Sequence, residues 1–471
     1  MITKNDNNSL NEMQMVVLDN LVPEEHLVRK IDKVIDFEFI RDAVKDLYCK
    51  DNGRPSIDPV VLFKIVFIQF LFGIKSMRQT IKEIEVNVAY RWFLKIGLLD
   101  SVPHYSTFAK NYERRFKESK IFEEIFDNIL NQVIENGLLK EETIFVDSTH
   151  IKAYANKRKV EEKYVKETVN KYTEKLNNEI NNIRISEGHS EIKINEVKKV
   201  ISKTDSDCGM FHKGEKEKQL AYSVQTACDK HGWVTGCKTN PGNVNDNNGG
   251  IEFVDEYIDS HPQLENIVMD AGYTGAVLLN QIIEKGKKPI VPYTRPKGKN
   301  IEVTKRRFKY DAKRNIYICP MGVILTYRGI TNLGLLSYKT KKGDCKNCPL
   351  KDKCCNSSGY KEIQRHLYEN AKDIAMEIRN SEVGNELYPQ RKKTIERVFA
   401  DTKFNHCLGF TFLRGLKKNQ NRCLLIFAMA NLKKLALTLD RIEREIASSL
   451  DDFANIIKEF FKSLQKITIS L

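Results

Sequence analysis

Glu142-Thr143-Ile144-Phe145-Val146-Asp147-Ser148-Thr149 is where this chain of 471 residues changes character. Before it, apolar residues recur every three or four positions; from here they come in short extended runs that end in an acid or a turn. Asn266-Ile267-Val268-Met269-Asp270 repeats the form. Leu220–Cys228 and Trp233–Lys238 read as a hairpin around Asp229-Lys230-His231-Gly232, and Lys288–Tyr293 as a further strand. Helical spacing at Val244–Tyr257 and Thr274–Lys285 completes the order strand, strand, strand, helix, strand, helix, strand. That is a mixed α/β layer.

Residues 1–135 read as a helical domain. Pro23-Glu24-Glu25-His26 opens a helix with Leu27, Ile31, Val34 and Ile35 on one face. Gly53-Arg54-Pro55-Ser56 is a turn, from which Ser56 is expected to cap the next helix, with Pro59 in its first turn. Shorter helical patterns at Ser76–Glu85, Asn87–Ile96 and Tyr105–Phe116 carry Arg78, Arg91, Lys110, Arg114 and Arg115, compatible with helix-turn-helix DNA binding. The strand-bearing domain is expected over 136–440 with two insertions. Residues 155–200 read as a charged helical arm and 315–360 as a Cys-rich knuckle. A core helix from Arg422 to Leu439 and a separate C-terminal helix over 441–471 finish the chain.

Composition narrows the class. Hydrophobic residues are 41% and charged residues 30%, which is globular. The longest apolar stretch, Val60 to Ile74, contains Lys64 and Gln69 and falls short of the roughly twenty residues of a membrane span. The opening MITKNDNNSL lacks the features of a secretory signal, so a cytoplasmic location is expected and the eleven cysteines are expected to be reduced. No Gly-x4-Gly-Lys-Ser/Thr loop occurs, so no nucleotide cofactor is indicated.

The net charge of +14 is concentrated. Lys285–Arg314 carries 12 cations and 2 acids, and Arg391–Arg422 carries 9 and 2. Two local patches point to a polyanion, nucleic acid first; on charge alone, solvated lysine-rich loops are an equal reading.

Asp147 and Asp270, each after a short apolar run, could converge at the carboxyl ends of strands, where open α/β sheets meet ligands. A third acid, Glu396, lies in a helical stretch whose offsets place Lys392, Glu396, Phe399 and Lys403 on one face. Three carboxylates suit two Mg²⁺ ions about 3.5–4 Å apart, which activate and stabilise oxygens on opposite sides of phosphorus, with cations to neutralise the phosphate. Each acid alone could equally be a cap or part of a surface ion pair. Cys345-x2-Cys348-x5-Cys354-Cys355, with Cys319 upstream, offers the four thiolates of a structural Zn²⁺ site, with Cys319, Cys345, Cys348 and Cys354 the expected ligands; a reduced apolar cluster is the alternative.

Phe145-Val146-Asp147-Ser148-Thr149, Val268-Met269-Asp270-Ala271-Gly272-Tyr273 and Ile395-Glu396-Arg397-Val398-Phe399-Ala400-Asp401-Thr402-Lys403, then Phe412-Leu413-Arg414-Gly415, resemble the DDE signatures of bacterial insertion-sequence transposases. The helical start, with Pro103-His104-Tyr105-Ser106-Thr107-Phe108, is similar to the InsH-type N-terminal domain of that family. So are Thr204-Asp205-Ser206-Asp207-Cys208-Gly209-Met210 and Pro241-Gly242-Asn243-Val244-Asn245-Asp246 to stretches between its first two acids. The resemblance implies an RNase H-like mixed sheet with flanking helices behind an all-α DNA-binding domain. It implies Asp147, Asp270 and Glu396 as catalytic acids holding two Mg²⁺ or Mn²⁺ ions. It also implies double-stranded DNA partners (terminal inverted repeats and target), joining of 3′ ends, a homo-oligomer on DNA, and a bacterial, nucleoid-associated enzyme. Lys403, seven residues after Glu396, fits the family's phosphate-contacting helix; Lys392, Arg391, Tyr388 and Arg414 are further DNA-contact candidates. The family's Arg and Tyr would fall at 392 and 389, where this chain has Lys392 and Pro389, with Arg391 and Tyr388 one position earlier. A catalytically inactive DNA-binding regulator and a nuclease of the same fold are the alternatives.

Overall fold

The computed structural model describes residues 13, 15–49, 56–166, 171–192, 196–213, 217–293, 303–355 and 359–469. The turn at Gly53-Arg54-Pro55 and residues 294–302 of the first basic segment lie outside them. The chain divides into two compact units.

The first unit comprises Met1–Leu138, Asp401–Gly409 and Asn421–Leu471, and its described elements are helical. The Pro59–Leu71 helix is buried almost all round, which explains its lack of a polar face. Asp58, not Ser56, caps it: its carboxylate accepts the Val60 N–H at 2.9 Å. Pro59 then fills the first position, where no amide donor is needed. Phe63 sits at the centre, its ring 5.2 Å from Phe116 and 6.0 Å from Phe122. Lys64 is buried but paired with Asp32 at 3.1 Å and bonded to the Phe93 carbonyl at 3.2 Å, which satisfies its charge. The C-terminal region is a single helix, Leu416–Ile469, rather than two, because no Gly or Pro interrupts those 54 residues.

The second unit, Leu139–Ala400 with Phe410–Gln420, holds two sheets. The larger contains β1 (Thr143–Lys152), β2 (Val160–Lys166), β3 (Glu196–Ser202), β4 (Gly209–Lys213), β5 (Glu217–Asp229), β6 (Val234–Pro241), β7 (Asn266–Met269) and β8 (Lys288–Ile290). β1 lies centrally, antiparallel to β5 and parallel to β7, and β8 extends the parallel side. β6 returns antiparallel beside β5. The Asp246–Ser260 and Ala276–Glu284 helices make the crossovers that parallel pairing requires. Ile144, Val146, Ile267 and Met269 pack against these helices, while Phe145 is buried too. Burial on both faces is why β1 begins as an unbroken apolar run.

The 155–200 insertion is less an arm than a folded unit. β2 and β3 pair from Val160–Ser202 to Lys166–Glu196, and the Lys171–Ser186 helix between them buries Leu176 and Ile180 against Ile330. The second insertion lies in an antiparallel sheet of β9 (Lys309–Asp311), β10 (Ile316–Ile318), β11 (Ile324–Ile330), β12 (Leu336–Lys339) and β13 (Glu362–Arg365) around Phe308, Tyr317, Leu325, Tyr338 and Ile363.

Candidate active site

Asp147 does not end its strand. β1 runs on to Lys152 because β5 continues to pair with it on the antiparallel side. It is β7 that stops. In the parallel ladder Val146 stands opposite Met269, so the next residue on each strand is Asp147 and Asp270. Two acids 123 positions apart thereby become neighbours by register.

The turns behind them fix the carboxylates. Asp147 Oδ1 accepts the Ser148 N–H at 2.8 Å. Asp270 Oδ1 accepts the Gly272 N–H at 2.7 Å. Gly272 is crowded by two of the carboxylates: a Cβ there would lie 2.7 Å from Asp246 Oδ2 and 3.0 Å from Asp270 Oδ1, so one of them would have to move. Asp246 is a fourth carboxylate at the site, accepting a short hydrogen bond from the Ser148 hydroxyl. The sequence offers Asp246 only as the end of the stretch Pro241–Asp246, with no role of its own; it lies in the first turn of the helix capped by Asn245, whose side-chain oxygen accepts the Asn248 N–H at 2.8 Å.

Glu396 joins through Arg391. The guanidinium donates from Nη2 to Asp147 Oδ2 at 2.6 Å, and its Nη1 lies 3.8 Å from Glu396 Oε1. Burial pushes the Asp147 carboxyl up to about 6; Arg391 opposes this, and the charges of Asp270 and Asp246 add to it. Asp270 is raised for the same first reason, against the Gly272 amide and Arg391. Tyr273 is raised by burial and by these acids, and its hydroxyl donates to Gln225. Among the described residues no three His, Cys, Asp or Glu side chains are spaced as a ready metal cage. The donors nevertheless suit a hard divalent cation: carboxylate oxygens, partly desolvated, already gathered around the guanidinium of Arg391.

The cationic candidates are dispersed. Arg391, expected at a phosphate, is buried among the acids. Lys392 is exposed, but it belongs to the 3₁₀ turn Tyr388–Lys393 and not to the Ile395–Asn405 helix, so its helical offset from Glu396 does not hold. Phe399 turns inward, whereas Glu396 is 49% exposed; the expected single face therefore breaks up. Lys403 is exposed further along that helix. Tyr388 lies under the Arg379 guanidinium at 4.5 Å. Arg414 is exposed and donates to the Tyr154 carbonyl at 3.2 Å.

Three cations of the first basic segment are paired locally. Lys285 pairs with Asp255 and Asp259, Lys305 with Glu369 at 2.9 Å, and Arg314 with Asp311 at 3.1 Å. Arg306 stacks 4.1 Å over Tyr293. Cys319, Cys345, Cys348 and Cys354, with Cys355, line one small cavity, so the expected zinc ligands do gather. They are not spaced as a metal site, and Cys319 and Cys354 pack against the apolar core of the second sheet. Among the described residues no helix is long and apolar enough to cross a membrane.

Two segments match known families. Residues 16–114 match the family described as a transposase domain (DUF772), and residues 318–436 match the family described as a transposase DDE domain. The second match contains Glu396 but starts beyond Asp147 and Asp270. No curated protein matches the chain. Among solved structures, the chain is similar to the Mos1 transposase paired-end complex with left transposon end (9% identity, TM-score 0.15) and to a pre-cleavage Mos1 transpososome (10%, 0.15). Each superposition covers 51% of this chain and 61% of the Mos1 chain, and at that TM-score it carries no argument.

Proposed function

We propose that this chain, with its matches to a transposase domain over 16–114 and a transposase DDE domain over 318–436, is an insertion-sequence DDE transposase that cuts DNA at the ends of its own element and joins the freed 3′ ends to target DNA. Asp147, Asp270 and Glu396 are the reacting-centre acids in this reading. The observation that carries it is the adjacency of Asp147 and Asp270 at the end of the β1–β7 ladder, with Arg391 bonded to Asp147 and facing Glu396 at 3.8 Å. A central strand flanked by antiparallel and parallel partners, with crossover helices, fits the RNase H-like core that such a reading requires.

Mg²⁺ or Mn²⁺, held as a pair by these carboxylates, would supply activation of the attacking oxygen and neutralisation of the leaving one. The chain's own part is positional and electrostatic. Ser148 N–H and Gly272 N–H orient Asp147 and Asp270, leaving Asp147 Oδ2 for the cation side. Lys392, Lys403, Arg414 and Tyr388 are assigned to the DNA backbone, where cations fix the strand without reading its sequence. The helical first unit is assigned to recognition of the terminal repeats. Two ends must meet, so the working form is a homo-oligomer on DNA.

Linear DNA ending in the inverted repeats that flank this gene, incubated with the full chain, Mg²⁺ and a supercoiled target, tests the proposal. Strand-transfer products are expected. Cleavage without joining favours a nuclease, and binding without cleavage a regulator.

A further inference from the structure

Arg391 is set apart by four features. Its Nη2 holds Asp147 Oδ2 at 2.6 Å, the oxygen left over once Oδ1 has accepted the Ser148 N–H. Its Nη1 faces Glu396 Oε1 at 3.8 Å, so one guanidinium spans the first and third acids. The side chain is only 11% exposed, so it is part of the site rather than a surface partner passing by. Its Nε is nevertheless buried without a hydrogen-bond partner. A structural arginine normally completes its fork, because a buried donor left unpaired is costly. Here the position is only half satisfied.

We propose that Arg391 is a resident cation that keeps the acids together in the metal-free protein and is displaced when a divalent ion binds, so that metal loading and release of Arg391 are one exchange. This rests on the reading of Asp147 and Glu396 as metal ligands. The chemistry follows from charge and lone pairs. A guanidinium and a divalent ion on the same Asp147 oxygen would be like charges a few ångströms apart in a partly desolvated site, where they repel strongly. The acids without either cation would repel one another instead. The exchange therefore holds the acids gathered at every stage, at the expense of metal affinity, which is reduced by the fraction of molecules in which Arg391 is in place.

Titration of the full-length protein with Mn²⁺ without DNA, with free Mn²⁺ read by electron paramagnetic resonance, tests the exchange. Arg391→Gln is expected to bind Mn²⁺ about tenfold more tightly than wild type, and Arg391→Lys to lie between them. A merely structural arginine gives the opposite sign, since its loss would scatter the acids; equal or weaker binding by Arg391→Gln overturns the proposal. If that variant does not fold, the wild type still decides. Modification of Arg391 by phenylglyoxal, read by mass spectrometry, is expected to be slow without metal and to rise with Mn²⁺, and unchanged or deeper protection overturns the exchange. Wild type that binds no Mn²⁺ and cleaves no DNA overturns the metal-dependent reading as well. Wild type that binds and cleaves, with no gain in Arg391→Gln, overturns the exchange alone.

Discussion

Gly272 and Asp246 approach so closely that a Cβ on Gly272 would lie 2.7 Å from Asp246 Oδ2, with Asp270 Oδ1 only 3.0 Å away. Gly272→Ala must therefore push one carboxylate aside. The displaced groups are at the surface of the site and not in the core, so the fold should survive. Displacements of about an ångström at reacting groups cost on the order of 100-fold in rate. Cleavage by Gly272→Ala is expected to fall by about that factor with a nearly unchanged melting temperature, and full activity would show that Asp270 is not held where it matters.

The raised Asp147 carboxyl has a consequence for stability. An acid whose folded pKa is about 6, against about 3.9 unfolded, holds its proton more tightly when folded. It therefore costs stability as pH rises from about 4 through about 6, by about 3 kcal/mol at most. Asn at this position cannot ionise. In metal-free buffer the stability of wild type relative to Asp147→Asn is expected to fall as pH rises from about 4 through about 6, because only the wild type ionises there. Adding Mg²⁺ is expected to stabilise the wild type and to leave the variant unmoved. A stability difference that does not change over that pH range contradicts the picture of an unfavourably buried charge.

Asp205 and Asp207 explain one of the stretches quoted from the sequence. Asp207 accepts the Leu416 N–H at 2.9 Å, at the start of the 54-residue helix. Asp205 accepts the Gly415 N–H at 3.1 Å and the Tyr222 hydroxyl at 2.7 Å, and it is buried. Asp207→Ala loses a cap, about 1 kcal/mol. Asp205→Ala strands the buried Tyr222 hydroxyl proton, while the Gly415 N–H keeps its 3.1 Å bond to the Tyr222 oxygen, and about 2–3 kcal/mol is expected. Urea unfolding of the two variants measures the difference, and equal losses would contradict it.

The same structure revises the role of the net charge. Lys285 is tied to Asp255 and Asp259, so Lys285→Gln is expected to leave DNA affinity unchanged. The exposed Lys392 and Arg414 are expected to behave differently. Replacing either with Gln should weaken binding and lower the slope of log affinity against log salt by about one unit. Filter binding over a salt series checks both, and a Lys285→Gln defect larger than that of Lys392→Gln would overturn the assignment.

The strands and helices around the site were legible because their signals are local: Ile144-Phe145-Val146 and Ile267-Val268-Met269 are apolar runs, and the helices between them keep their period. What a linear reading misses is set by pairing. Asp147 looked like a strand end, but β1 continues on β5 beyond the point where β7 stops. Asp246 carries no role in the sequence reading, and Arg391 reads there as a DNA contact, because only the tertiary arrangement shows which side chains they face. The Lys392–Lys403 face failed for a local reason: the helix starts at Ile395, three residues after the first member of the set.

The central claim is that Asp147, Asp270 and Glu396 form one metal-dependent reacting centre. The most direct measurement is strand cleavage at the element's own terminal repeats, compared in Mg²⁺, Mn²⁺ and EDTA, for wild type, Asp147→Asn, Asp270→Asn and Glu396→Gln. Metal-dependent cleavage by wild type, lost in all three variants while terminal DNA is still bound, is the expected result. Cleavage at wild-type rates by any one of the three, or undiminished in EDTA, would contradict the account.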